Sequence, residues 1–190
     1  MRLHTFVLLA ITLFALGACA FTPQRATLQP TLSIPQANIG QGKAVSVQVV
    51  DERPSQSLGR RGSVRGAEIT TDQNIAELIV DSVRHGMTQV GFTPVPYDAA
   101  QARALRIEVR QLEYSTSTGF WTGGVHTNAA LKATATNQGV TYENFYRAGS
   151  EQRVVAVPGA SANEQLLNQA LSSVLDKLFQ DQALLSFLAK

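Results

Sequence analysis

The spacing of apolar positions changes several times along this chain, and each change marks an element. Val45, Val47 and Val49 recur at period two within Ala44–Asp51, which predicts a strand. Over residues 70–91 the period becomes helical, with Ile75, Leu78, Ile79, Val83, Met87 and Val90 on one stripe. Thr70 with Gln73 reads as a capping box at its start, and Gly91 sits where a left-handed C-cap belongs. Residues 92–97 read as a short strand that Pro94 and Pro96 confine to a sheet edge. Leu105, Ile107 and Val109 then alternate, but the next apolar positions are Leu112 and Tyr114. That switch of parity predicts a bulge near Arg110 and Gln111.

Residues 125–136 and 140–148 read as a hairpin about a three-residue Asn137-Gln138-Gly139 loop, with Val125, Ala129, Leu131, Ala133 and Ala135 on the buried face. Small alanines there leave room for a helix. The last one supplies it, with Ser161 and Glu164 as a second capping box, a stripe through Leu166, Leu167, Ala170, Leu171, Val174, Leu175, Leu178 and Phe179, and residues 184–188 as a frayed end or an oligomer contact. The expected fold is α+β: a sheet of four to five mostly antiparallel strands with two amphipathic helices on one face. A right-handed crossover joins the first strand to a parallel neighbour.

The N-terminus follows a different logic. Arg2 and His4 precede an apolar run over residues 6–16 that closes on Leu16-Gly17-Ala18-Cys19. A membrane span needs about 20 apolar residues, and this run is shorter. A cysteine directly after a Leu-small-small tripeptide reads as a lipobox rather than an ordinary secretory signal, with cleavage between Ala18 and Cys19 and lipidation of Cys19. Two or more acyl chains anchor a protein stably without a transmembrane helix. The expected organisation is a signal peptide over 1–18, a lipidated cysteine and flexible linker over 19–43, rich in Pro and Gly, and one periplasmic domain over 44–190. An alternative pins part of the arm to the domain through Leu28, Leu32 and Ile34.

Composition removes other classes. The formal net charge is +2 over 190 residues, which gives no argument for nucleic acid. The single cysteine is consumed by lipid, so packing alone must stabilise the domain. Beyond the signal peptide only His85 and His126 remain, without a partner at metal-ligand spacing, and there is no G-x-S-x-G elbow or phosphate-binding loop. No catalytic residue, metal or cofactor is expected. Two loops stand out for binding. One holds Arg53, Arg60, Arg61 and Arg65, whose guanidinium forks suit phosphate or carboxylate. The other holds Phe120 and Trp121 among glycines, and aromatics dominate binding hot spots. If the strands ending at Asp51 and Tyr114 are parallel neighbours, both loops lie at one end of the sheet.

The lipobox at Cys19, the Val50-Asp51-Glu52-Arg53 strand end, Gly91-Phe92 after an amphipathic helix, and the 105–114 strand together resemble the YajG family of bacterial lipoproteins. In outline the domain is also similar to small α+β envelope lipoproteins that activate or chaperone larger partners. The resemblance implies location and fold, and by the sorting rules of such lipoproteins Ala20 implies the outer membrane. The reading is a non-enzymatic lipoprotein on the periplasmic face of the outer membrane, partnered by the membrane through its anchor and by an envelope protein, without nucleic acid. The alternative is a glycan- or anionic-ligand-binding domain that uses the arginine loop.

Overall fold

The computed structural model describes residues 22–62, 67–98, 100–118, 123–155 and 158–190. Along the chain these form β1 (Gln24–Arg25), β2 (Ala44–Asp51), β3 (Gly59–Arg61), β4 (Ala67–Thr70), α1 (Ile75–Gln89), β5 (Thr93–Pro96), β6 (Arg103–Thr118), β7 (Gly123–Asn137), β8 (Val140–Val154), α2 (Ala160–Gln180) and α3 (Gln182–Ala189). The strands make one 8-stranded mixed sheet in the order β1-β4-β3-β6-β2-β5, with β7 on the other edge of β6 and β8 outside it. This corrects the expected four to five mostly antiparallel strands. Pairs β1·β4, β2·β5, β2·β6 and β3·β6 are parallel, and only β3·β4, β6·β7 and β7·β8 are antiparallel. The extra strands β1, β3 and β4 are two to four residues long. Segments that short hold too few alternations for periodicity to register.

β6 is the spine. Leu105, Ile107 and Val109 point into the core, the register shifts between Val109 and Gln111, and Leu112 and Tyr114 resume the same face. The bulge predicted by the parity switch is therefore real. β7 runs along β6 and buries Val125, Ala129, Leu131, Ala133 and Ala135. The hairpin between β7 and β8 is tighter than expected, because Asn137 pairs with Val140 and only Gln138 and Gly139 form the loop. Their φ values of 51° and 81° are the left-handed pair of a two-residue type I′ turn.

Helices α1 and α2 and most of the buried sheet side chains belong to one core cluster. Where α1 meets α2, a Cβ at Gly86 would lie 2.3 Å from the Phe179 ring. Glycine there lets the ring sit against the α1 backbone. α1 begins at Ile75 and not at 70, because 67–70 is drawn into the sheet as β4. Its cap is Asn74, whose side chain accepts from the amides of Ala76 and Glu77. Its end is the expected one: Gly91 has φ 89°, its amide donates to the Thr88 carbonyl, and the Phe92 amide donates to that of Met87. That is a Schellman arrangement.

The arm before β2, expected as linker from 20 to 43, is docked from residue 24 onward. β1 pairs with β4, and the chain then runs along α2 with Ala26 and Leu28 buried and Leu32 and Ile34 packed on the core. Its outward amides have no strand beside them. Instead Thr27, Gln29, Thr31 and Ser33 donate to the side chains of Glu164, Asn168, Ser172 and Asp176 at 2.7, 2.6, 3.0 and 2.8 Å. Two residues of extended chain advance about 6.6 Å and four residues of helix about 6.0 Å, so every second amide meets every fourth side chain. Gln73 serves the other flank, its side chain accepting from the Leu28 amide and donating to the Leu28 carbonyl. Neither predicted capping box forms, since Thr70 ends β4 and Ser161 lies inside α2. Glu164 and Gln73 are used by the arm, and α2 starts after Gly159 with no side-chain cap.

The apolar run 184–188 is not a frayed end, and its leucines are used within the chain. At Asp181 the chain turns into α3, which buries Leu184, Leu185 and Leu188 in the same core. Asp181 holds the corner: Oδ2 accepts from Tyr142 Oη (3.0 Å), Tyr146 Oη (2.6 Å) and Asn144 Nδ2 (2.8 Å), and Oδ1 accepts from the Leu184 amide (3.0 Å). Burial raises the Asp181 carboxyl, but the Tyr146 hydroxyl, the Leu184 amide, Asn144 and Tyr142 outweigh it and bring the pKa down to about 2. Because the folded value lies below the unfolded one, this stabilisation is complete above the unfolded pKa and is lost as pH falls through the folded one. Asp181→Asn is expected to cost about 2–4 kcal/mol at about pH 7, about half of that at about pH 3, and little once the pH is below about 2, read by urea denaturation.

Candidate functional site

The bulge and the two short partners of β6 create a cleft. β2 pairs with β6 only from Ala104 to Val109, and β3 joins the same edge only at Tyr114. The last ladder bond on one side runs from the Glu52 amide to the Val109 carbonyl (3.0 Å), and the first on the other from the Tyr114 amide to the Leu58 carbonyl (2.6 Å). Between them the chain leaves the sheet over residues 53–57. The gap is a cleft of about 480 Å³ lined by that excursion, by Gly59, Arg60, Gly62 and Glu68, and by β6 from Gln111 to Thr116. Gly59 is required there, because a Cβ at this residue, with φ 125°, would lie 1.8 Å from the Tyr114 carbonyl oxygen.

The four arginines of the predicted loop separate. Arg53 turns back on β2: Nε donates to Asp51 Oδ1 at 2.8 Å and Nη2 to Oδ2 at 2.9 Å, with its side chain 3% exposed. Burial raises the Asp51 carboxyl, and the bonds and charge of Arg53 overcome that and lower it. This bidentate pair closes the end of β2. Arg61 is partly buried, and its cation opposes the burial that pushes the Tyr114 phenol up to about 12. Arg60 points outward on the cleft rim, in register with Glu68 but without an ion pair to it. Among the described residues its side chain makes no hydrogen bond or salt bridge, which leaves it a cation on offer to a ligand. Arg65, Phe120 and Trp121 lie outside the described residues, as do Ala18 and Cys19.

The condition for one shared end of the sheet is met by the strands: β2 and β6 are parallel, with Asp51 beside Val109. The cleft therefore sits on the half of β6 that leads to Thr118. Periodicity could not reveal Gln111, Glu113, Tyr114 and Ser115 as cleft residues, though the parity break at 110–111 marks the place. Tyr114 is fully buried, and its hydroxyl has no hydrogen-bond partner among the described residues.

Outside the cleft, Ser117 Oγ lies 3.3 Å from His126 Nε2, and His126 Nδ1 lies 4.0 Å from Glu151 Oε2, three neighbours on β6, β7 and β8. The order imitates a nucleophile, base and orienting acid. Yet the Glu151 side chain is 70% exposed, and the row does not line the cleft. A relay needs an orienting acid held on the base and exclusion of water; here Glu151 stands 4.0 Å from His126, and both side chains are open to solvent. On the same open face Glu52 bridges Arg106 and Arg110 at 3.1 and 2.6 Å, so those cations are internally balanced. Among the described residues no group of three or more His, Cys, Asp or Glu is placed to hold a metal ion. No helix of the described residues is long and apolar enough to cross a membrane.

A family model described as an uncharacterized lipoprotein matches residues 30–189. The chain belongs to this family, the YajG lipoproteins. Membership carries membrane anchoring of the bacterial lipoprotein kind. A search of curated protein sequences finds no match. Among solved structures the chain is similar to a protein of unknown function from Xanthomonas campestris, with 15% identity, a TM-score of 0.54, and coverage of 88% of this chain and 95% of that one. It is also similar to a second uncharacterized protein, with 10% identity, a TM-score of 0.51, and coverage of 84% and 98%. At such identities the likeness is one of fold alone.

The three neighbouring groups respond differently to substitution. Arg53→Ala strands the partly buried Asp51 carboxylate and is expected to cost about 2–4 kcal/mol in urea denaturation. Arg60→Ala is expected to stay within about 0.5 kcal/mol of the parent. Tyr114→Phe removes an unpartnered buried hydroxyl and is expected to be neutral or to stabilise by up to about 1 kcal/mol.

Proposed function

We propose that this YajG-family chain is acylated on Cys19 after cleavage between Ala18 and Cys19, and is held on the periplasmic face of the outer membrane. There it serves as a non-enzymatic binding or accessory module in envelope assembly or maintenance. The observation that carries this reading is the lipoprotein family match over 30–189, joined to the Leu16-Gly17-Ala18-Cys19 tetrapeptide upstream of it. Ala20, by the sorting rules of such lipoproteins, supports the outer membrane over the inner one. Cys19→Ser is expected to abolish acyl labelling and release the protein to the soluble fraction, and Ala20→Asp to move it to the inner-membrane fraction. A Cys19→Ser protein that still sediments with the outer membrane overturns the reading.

A second reading, that the cleft binds an anionic group of a glycan or a partner protein, is favoured by one feature. Arg60 stands uncompensated on the cleft rim beside the hydroxyl-bearing 53–57 excursion. Guanidinium is suited to carboxylate and phosphate. Calorimetric titration with inorganic phosphate and with a uronic-acid oligosaccharide is expected to show binding that weakens about tenfold or more in Arg60→Ala. Equal titration of the two proteins removes the cleft from the reading.

A further inference from the structure

The docked arm changes what an anchor at Cys19 does to the domain. A flexible linker over 19–43 would let the domain float, but the chain is already part of the sheet at Gln24. Five residues reach at most about 18 Å, so a lipidated Cys19 holds Gln24 within that distance of the bilayer surface. Gln24 is fixed to one end of the molecule: Nε2 donates to the Ala160 carbonyl at 2.7 Å, and Oε1 accepts from the buried Asn163 at 3.0 Å. That end carries the start of α2 and the end of β8, since Val154 and Ala160 are separated by a short connection. Thr118 and Gly123, paired across β6 and β7, lie there too. The opposite end is the Gln138-Gly139 turn, and β8 spans about 45–50 Å between the two.

Exposed groups at the anchored end suit a membrane surface, although Glu151 is exposed there and Lys190 is exposed at the far end. At the far end Lys43 donates to the Ala189 carbonyl and Arg103 Nε to the Leu188 carbonyl at 3.1 Å, so both cations are used to cap α3. Toward the anchored end Arg60 and Arg153 are exposed, and among the described residues neither side chain makes a hydrogen bond or ion pair. Val155 follows Arg153 by two residues and is 91% exposed. Free cations beside an exposed apolar side chain fit the headgroup region of an anionic bilayer.

We propose that the anchored protein stands end-on, with the end bearing Gln24, Arg153 and Val155 against the lipid headgroups and the Gln138-Gly139 turn directed away from the membrane. The orientation rests on acylation at Cys19. It places the cleft, which lies on the membrane-proximal half of β6, close to the bilayer rather than at the outer tip.

The test uses the full acylated chain reconstituted into mixed phosphatidylethanolamine and phosphatidylglycerol vesicles. Acylation blocks the native thiol, so Val155→Cys and Val140→Cys each present one thiol for a fluorophore, and lipids carrying a headgroup nitroxide serve as quencher. Both positions are exposed, so neither change disturbs the core. Quenching several-fold stronger at 155 than at 140 is expected. Inserting a long Gly-Ser segment after Ala20 is expected to erase that difference while the chain still floats with the vesicles. Equal or reversed quenching in the uninserted chain overturns the end-on orientation and leaves acylation standing. A difference that survives the insertion overturns the short tether as its cause. A chain that does not float with the vesicles overturns the acylation reading itself, and the orientation with it.

Discussion

An extended segment at the margin of a fold carries backbone amides that must find acceptors, and a buried or half-buried one left unpaired is costly. In this protein the segment after β1 has no neighbouring strand on its outward side. It is satisfied by a row of oxygen-bearing side chains at every fourth position of α2: Glu164, Asn168, Ser172 and Asp176. Much else depends on that match of periods. It buries Leu28 in the core, draws β1 against β4, and carries the chain from one end of the domain to the other. β2 then returns alongside β6. Because the chain has already crossed the molecule, β2 enters parallel to β6, and a mixed sheet results rather than an antiparallel one.

The cleft follows from a mismatch along β6. A bulge shifts the register after Val109, and the two short strands that share that edge cannot pair across the shift, so residues 53–57 leave the sheet. Each end of the gap is closed by a different device. Arg53 clamps Asp51 where β2 stops, and Gly59 brings its backbone against Tyr114 where β3 begins. What remains between them is a polar opening with Arg60 on its rim. One sequence feature, the guanidinium-rich loop, thus contributes an internal clamp, a partly buried cation and a free one. The difference lies in which way each side chain faces once β3 has formed.

The long elements were legible in the sequence because they repeat. Ala44–Asp51 carries several alternations, α1 and α2 carry four or more turns of apolar stripe, and a parity switch is enough to locate the bulge. Gly91 was legible because a Schellman end requires a left-handed residue. The capping boxes were not, since Gln73 and Glu164 have the right spacing for a local partner but are taken by distant amides of Leu28 and Thr27. A local motif states only what its residues can bond. Which acceptor wins depends on what the fold brings within reach.

By itself, then, the amino-acid order determined the Leu16-Gly17-Ala18-Cys19 signature, the strands and helices long enough to show their period, the bulge in β6, and the family the chain resembles. Only the tertiary structure decided that the arm is docked rather than free, that β1, β3 and β4 exist, that Leu184, Leu185 and Leu188 are core, and that Arg60 differs from Arg53. The physical reason is common to all of these. Periodicity reports the face an element must bury, which is a local property. The partner for an unpaired amide, a two-residue strand or a single cation is supplied by residues far away in the chain: Thr27 meets Glu164 across 137 positions.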